Sequence, residues 1–567
     1  MNGTEQKPRK GTAKTVWPFL AVAMALASPL LVYHGVILAG DDVLYARLAS
    51  EMADGHPMFG INTHPYRLGF LVPLAVLYHA FGIHDWATIA LPLLSSLSTV
   101  LLAAYAAGRL YGDTAGAWAA LFCGFNPIVY RSGSMGLVDV PAGFFYAAFV
   151  VGWVLIVARR VRHRRVWAAV AGMAAAWAVA TRESIAPMIL FTVLGFVLVG
   201  WRQATLREFP IREWFLGGCL IGFPYLLYLW WHTGTPWYVA YAAQGGYNIA
   251  GAPWLRPLEG LQLGARLTGL SILRAAIEGY LFAVLPVVVA AAMARQSAPG
   301  DIGDGVRHHL LVAIVSPLMV LSHFSTSFSE WVPVNLFLRY GSPVVIPAGI
   351  LVAGACVRLR GSPLSNAARR GAGLALAAGV GLLWLGWAQE NRWSLVGAAA
   401  TVVAGVSVLL AHRMPKLFLP TVLVVLLVAA WGLYRFQEYP GERALNAATR
   451  RQAQMVPWDP TLPILTDPLT AQVLPYLHKF ENPPEVATWK GRGEVERPFS
   501  WSKQTDRPWA KRFLLVWDPG EASFQAERWG TVVPAWVREE VARGRLLREF
   551  SGAPGAGVYL LEGKRGE

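Results

Sequence analysis

The residues of this chain that could do chemistry sit at the ends of its apolar runs. Asp41 and Asp42 follow the first run, in "LAGDDVLYARLASEMADGHPMFGINTHPYR", which also carries His56 and His64. Arg131 ends "FNPIVYR", Asp139 opens "DVPAGFFYAAF", and Arg182 and Glu183 lie in "ATRES". Glu330 follows in "FSEWVPV", and Arg339 and Tyr340 in "FLRYGSP". Ionisable groups against a membrane are costly and mark a site or a partner. A positioned carboxylate can take a proton from an attacking hydroxyl or amine. Several arginines beside it suit an anionic lipid phosphate, which a guanidinium grips through paired N–H donors.

Each residue also has a plainer reading. Asp41 or Asp42 can cap the helix "DVLYARLASEMAD", in which Leu44, Leu48 and Met52 form an apolar stripe while Arg47, Glu51 and Asp54 face away. One cap accounts for one aspartate, not for two in succession. Asp139 precedes Val140-Pro141 and can cap a helix start. Arg182 and Glu183 can be an adjacent ion pair that ends a span, and Arg131 and Arg339 can snorkel to the interface. His56 and His64 could join a carboxylate around a divalent metal, although no tight ligand spacing supports it. His34, His79 and His84 read as interfacial or packed side chains.

The elements that must position these groups are membrane helices. Of the 567 residues 55% are hydrophobic, 24 are tryptophan and only 15% are charged, which describes an integral membrane protein. Apolar runs at 17–38, 87–108, 115–130, 139–158, 166–181, 185–200, 214–231, 275–294, 309–324, 341–357, 371–388, 394–411 and 417–435 give about thirteen spans. Strands of a membrane barrel would be shorter and alternating. "HPYRLGFLVPLAVLYHAFG" is apolar but short, holds Pro65 and Pro73, and reads as interfacial or re-entrant.

The formal charge of +15 is distributed over connectors, so it reports topology and not nucleic acid. With the tail 1–16 in the cytoplasm, "RRVRHRR", "WRQATLREFPIREW", "RLRGSPLSNAARR" and "HRMPK" all fall on the cytoplasmic side, as the positive-inside bias expects. The chemistry-bearing span ends, and everything after about 436, then face outward. A signal peptide cleaved after Ala27 is the rival reading of the first run, but the apolar pattern continues to Leu38. The sequon at Asn2 lies in the cytoplasmic tail and carries little weight. Cys123, Cys219 and Cys356 lie in or beside apolar runs and read as small buried hydrophobes, with no disulfide framework.

Residues 17–435 therefore read as one polytopic body and 436–567 as a small extracytoplasmic α/β domain. In the latter "LPILTD", "RFLLVWD" and "GVYLLEG" read as strands, and "PLTAQVLPYLHKF" and "PAWVREEVARGRLLREF" as helices. It shows no phosphate loop, metal spacing or nucleophile motif, which suits a cap or substrate guide.

The order of these segments resembles the polytopic glycosyltransferases of the GT-C fold that use lipid-linked sugars. The resemblance is to the branch of protein O-mannosyltransferases and the bacterial aminoarabinose transferase of lipid A. It rests on "AGDDVLYARLASEM", "THPYRLGFLVPLAVLYHAFG", "FNPIVYRSGSMGLVDVPAGFFYAAFV", "ATRES" and "LRYGSPVVIPAGI", and spans residues 17 to 435. It implies that Asp41 or Asp42 is the catalytic carboxylate and Asp139 the acidic residue of the second external loop. Arg339 and Tyr340 would lie near the lipid phosphate, with His64, Arg131, Arg182 and Glu183 among the substrate-binding residues. Relatives often have lysine where this chain has Arg182, and a second proline where it has Tyr66.

The resemblance further implies transfer of a sugar from a polyprenyl phosphate to an acceptor protein or glycolipid at the outer face, with inversion. No nucleotide cofactor is then needed, and a divalent metal is an open possibility. The alternative is a transporter or flippase of a lipid-linked saccharide. That reading calls for internal repeats and charges near the midplane, whereas the charges here cluster at span ends.

Overall fold

The computed structural model describes residues 17–31, 41–59, 63–133, 135–202, 209–237, 303–323 and 338–359, with isolated positions between 366 and 406. In the C-terminal part it describes 453–459, 461–466, 468–480, 486–489, 503–505, 513–517, 535–549 and 557–561. The helices expected at 275–294 and 417–435 lie outside the described residues, and those at 371–388 and 394–411 almost wholly so.

The membrane body is helical: α1 (Trp17–Leu31), α2 (Asp41–Ala53), a 3₁₀ turn His64–Tyr66, α3 (Leu68–Phe81), α4 (Asp85–Tyr111) and α5 (Asp113–Gly124) come first. They are followed by α6 (Pro127–Ser132), α7 (Asp139–Val157), α8 (Arg164–Thr181), α9 (Ile185–Arg202), α10 (Ile211–Thr233), α11 (Gly303–His323) and α12 (Ser342–Leu359). Among the described residues four helical stretches, Asp85–Tyr111, Asp139–Val157, Ile211–Thr233 and Arg339–Val357, are long and apolar enough to cross a membrane.

α7 is apolar on every face, so it belongs in the interior. Tyr146, Phe149, Val150, Trp153 and Leu155 are buried in the main core, against α4, α8 and α12. In α8 the alanines Ala168, Ala171, Ala175 and Ala178 recur every three to four residues and are buried. Their small size lets α8 lie close to α7 and α10. α10 turns Phe215, Leu220, Phe223 and Trp231 outward, an apolar surface of the kind a lipid covers.

The run 115–130 is not one continuous helix. It breaks at Asn126-Pro127, where the Asn126 Oδ1 accepts the Ile128 N–H at 3.0 Å and Pro127 opens α6. The 12 residues of α5 rise only about 18 Å at 1.5 Å per residue, against roughly 30 Å for a bilayer core. "HPYRLGFLVPLAVLYHAFG" forms the 3₁₀ turn and the 14-residue α3 with Pro73 inside it.

Toward the C-terminus six strands form one mixed sheet in the order β3-β2-β1-β4-β6-β5. They are β1 (Ile464–Thr466), β2 (Val486–Trp489), β3 (Lys503–Thr505), β4 (Phe513–Trp517), β5 (Arg545–Glu549) and β6 (Gly557–Leu561). β1 to β4 pair in parallel, and β6 joins β4 and β5 antiparallel. α13 (Pro468–Leu477) follows β1, and α14 (Ala535–Arg543) precedes β5. The expected helix "PAWVREEVARGRLLREF" therefore ends at Arg543. Beyond Gly544, "RLLRE" pairs with β6 as a strand, because edge pairing satisfies more backbone than a further exposed helical turn would.

Candidate active site

Four charged side chains form a chain at one end of the bundle. Arg339 donates from its Nη2 to Asp41 Oδ2 at 3.1 Å, and its Nε lies 3.3 Å from Asp139 Oδ2. Arg182 pairs with the other oxygen of Asp139. Its guanidinium also lies 3.9 Å from the Tyr340 ring centroid and donates to Ser184 Oγ at 2.9 Å. His64 Nε2 approaches Asp41 Oδ1 at 3.9 Å.

Local packing sets this arrangement. Ser342 opens α12 and donates to the Asp139 carbonyl at 2.6 Å, tying the starts of α7 and α12 together. Gly143 permits that approach, since a Cβ there would come within 2.5 Å of Ser342 Oγ. Arg339, three residues before Ser342, is thereby delivered to Asp139. The Asp139 carboxylate sits in the first turn of α7, where the helix dipole favours it.

A second assembly lies beside the first. Arg67 binds Glu183 in a bidentate fork, Nε to Oε2 at 3.0 Å and Nη2 to Oε1 at 2.8 Å, and also donates to the Tyr45 hydroxyl and to Thr63 Oγ1 at 3.4 Å. The meeting of α3 with the end of α8 positions it. Trp177 Nε1 donates to the Gly69 carbonyl at 3.0 Å, and a Cβ on Gly69 would strike Thr181. Arg182 and Glu183 are thus not a mutual pair: adjacent in sequence, they serve different partners.

The two aspartates of α2 also part company. Asp41 keeps 41% of its side-chain surface open. Asp42 is buried, and its Oδ2 accepts the Gly136 N–H at 3.3 Å, a bond across 94 residues and not a cap of its own helix.

Burial favours the neutral form of every carboxylate here, yet the arginines prevail. Asp41 is raised by burial but lowered further by the positive charges around it, His64 in its protonated form and then Arg339 and Arg67, so its carboxyl lies below its ordinary range. Glu183 is likewise raised by burial, but Arg67 and then Arg182 bring it down to about 2. Burial and the neighbouring Arg67 depress His64, which therefore stands neutral at pH 7. Burial raises the Tyr45 hydroxyl, which stays protonated.

Of the residues singled out in the sequence, Asp41, His64, Asp139, Arg182, Glu183, Arg339 and Tyr340 come together. Arg67 and Tyr45 belong with them and had no motif of their own, although Arg67 stands in "THPYR" directly before an apolar helix. The Arg131 side chain and Glu330 lie outside the described residues. His56 is exposed beyond α2, and among the described residues no three His, Cys, Asp or Glu side chains gather to hold a metal.

No protein-family model matches the sequence, and no curated protein matches it. Solved structures do. The crystal structure of ArnT from Cupriavidus metallidurans bound to undecaprenyl phosphate matches with a TM-score of 0.57 at 16% identity, covering 97% of this chain and 98% of that one. The apo state of the same protein matches with a TM-score of 0.58 at 16% identity and the same coverage. Expected from a few ordered motifs, the GT-C fold shared with ArnT is the fold this chain has.

Proposed function

We propose that the chain is a membrane glycosyltransferase that moves a sugar from a polyprenyl-phosphate donor to an acceptor at the outer face of the cytoplasmic membrane. The observation that carries this reading is the shared position of Arg339, held between a half-open carboxylate, Asp41, and a buried one, Asp139. Such a guanidinium has donors to offer an incoming phosphate, and Asp139 with Arg182 keeps it near the mouth of the site. The fold match to a protein crystallised with undecaprenyl phosphate supports the same donor class.

In the proposed reaction the acceptor oxygen or nitrogen attacks the anomeric carbon while the bond from that carbon to the phosphate oxygen breaks. The electron pair leaves with the polyprenyl phosphate, and the acceptor proton passes to Asp41. Direct displacement inverts the anomeric centre. Arg339 and Arg182 stabilise the charge growing on the leaving phosphate. His64, neutral and 3.9 Å from Asp41, flanks the carboxylate without competing for the proton. Asp42 positions the loop at Gly136, and the Arg67–Glu183 pair braces His64 and Tyr45.

The proposed topology has about thirteen spans, a cytoplasmic tail 1–16, and residues 436–567 outside as an α/β domain over the site. Basic connectors on the opposite side support that orientation. The test is release of free polyprenyl phosphate from polyprenyl-phosphate sugars by purified protein with membrane extract as acceptor. Wild type is expected to consume a donor, and Asp41→Asn to lose about 10²- to 10⁴-fold in turnover with its fold intact. A wild-type protein that consumes no donor, or an Asp41→Asn variant as active as wild type, would overturn the reading.

A further inference from the structure

The sheet module meets the end of the bundle that holds Asp41 through Tyr476, with Leu477 and Phe480 packed beside it. Tyr476, at the end of α13, is buried in a cluster with Val43, Leu44, Tyr45, Leu74 and Tyr78, residues of α2 and α3. Its hydroxyl donates to Asp85 Oδ1 at 2.9 Å and lies 3.1 Å from Thr88 Oγ1. Thr88 Oγ1 is in turn 2.5 Å from the Tyr78 hydroxyl. Thr88 Oγ1 also donates to the His84 carbonyl at 2.9 Å, so the cluster ties Tyr78, Thr88 and Tyr476 to the start of α4, with Tyr476 giving its one proton to Asp85.

That network reaches the aspartate pair. A Cβ on Gly136 would lie 3.2 Å from the Thr88 methyl on one side and 3.5 Å from Asp42 Cβ on the other. The Gly136 N–H is also the donor to Asp42. Thr88 therefore backs the loop that holds Asp42, and Tyr476 holds Thr88. The ring of Tyr476 meanwhile packs on the face of α2 whose first residue is Asp41.

We infer that Tyr476 is a positioning residue: through Thr88 and Gly136 it fixes the start of α2, so that the C-terminal sheet module sets where Asp41 stands. The module is then part of the machinery that aligns the base and not only a cover over it. An acceptor that shifts α13 would shift the carboxylate with it.

Backbone hydrogen exchange in the full-length protein tests this directly, comparing wild type, Tyr476→Phe and Tyr146→Phe. Tyr146→Phe is the matched control, because it deletes an equally buried hydroxyl, bonded to Thr192 at 2.7 Å and Ala313 O at 3.0 Å, far from the docking face. Losing the hydroxyl bonds of Tyr476 is expected to speed exchange of the α2 amides roughly five- to tenfold and leave α7 unchanged. Unaltered α2 protection, or equal loosening of α2 and α7, would overturn the inference.

The kinetic arm rests on the glycosyl-transfer reading, whereas the exchange arm does not. Tyr476→Phe is expected to lower kcat roughly five- to tenfold at unchanged donor KM, with Tyr146→Phe near wild type. A normal kcat despite a loosened α2, or an equal loss in both variants, would deny the positioning role. A wild type that turns over no donor would defeat the function proposed above and leave the exchange result to decide the docking.

Discussion

Two arginine–carboxylate assemblies stand side by side at one end of the bundle, built from the same residue types and doing different things. In the Arg67–Glu183 pair both carboxylate oxygens meet one guanidinium, and Tyr45 and Thr63 take two more of its five donors. That assembly is closed. In the Asp41–Arg339–Asp139–Arg182 chain each inner member is shared, and Asp41 at the outer end keeps 41% of its side-chain surface open. A closed pair stabilises a fold, and a shared, half-open one can exchange a partner for a ligand. Residue type does not separate structural from reactive charge here; satisfaction does.

The largest effect that follows falls on the closed pair. Glu183→Gln leaves the buried Arg67 guanidinium facing a neutral amide, and breaking a buried ion pair costs about 3–5 kcal/mol. Because the Glu183 side chain is 22% exposed, the lower end, about 3 kcal/mol, is expected. Arg339→Ala, by contrast, is expected to cost less than that, since Asp41 is half-open to water and the buried Asp139 keeps Arg182 as its partner. Unfolding in detergent micelles measures both. Equal destabilisation by the two variants would break the contrast between the assemblies.

The next effect falls on the open chain. If Arg339 serves the donor phosphate, Arg339→Ala removes a charge-assisted hydrogen bond of about 1.5–3 kcal/mol. A loss of roughly 10- to 150-fold in kcat/KM is then expected for the lipid-linked donor. Retained kcat/KM would reduce Arg339 to a structural partner of Asp139.

A smaller effect concerns pH. In the free protein Asp41 lies below its ordinary range: burial raises it, but protonated His64 and the lasting charges of Arg339 and Arg67 lower it further. Drawing Arg339 onto a phosphate removes part of that lowering, so the carboxyl rises in the donor complex. The acid limb of kcat should therefore lie at higher pH than the acid limb of kcat/KM, since the first reports the complex and the second the free enzyme. Coincident limbs, or a kcat limb at lower pH, would show that donor binding leaves the Asp41–Arg339 pair untouched.

How far the sequence announces this contrast depends on what each residue must meet. The helices of the body are legible from apolar length alone, and α4, α7, α8, α9 and α10 lie within a few residues of the runs that announce them. The gathering of Asp41, Asp139, Arg182, Glu183 and Arg339 at one end is also legible, because span ends of one parity must share a face. Who pairs with whom is not. Arg182 turns to Asp139 and Glu183 to Arg67 because of the contacts Gly143–Ser342 and Gly69–Thr181, which no spacing encodes. The break at Asn126-Pro127 was written in a dipeptide that marks turns, and the apolar run around it hid the signal. "RLLRE" shows the opposite limit: five residues with leucines side by side take their strand form from antiparallel pairing with β6, from Glu549 with Gly557 to Arg545 with Leu560.

Asp42 supplies the smallest effect and the sharpest check on the division of labour within α2. Its carboxylate accepts the Gly136 N–H and so ties the start of α2 to the loop before α7. Asp42→Asn keeps an oxygen to accept that bond and loses only a charge at a helix N-terminus, worth about 0.3–1 kcal/mol. Turnover should fall less than about fivefold. Asp42→Leu removes the acceptor and leaves the buried Gly136 N–H without one, at a cost of about 1–3 kcal/mol, so it should be the more damaging of the two. Were Asp42→Asn to abolish sugar transfer while Asp41→Asn spared it, the half-open carboxylate would not be the base, and openness would lose its standing as the mark of the reactive member.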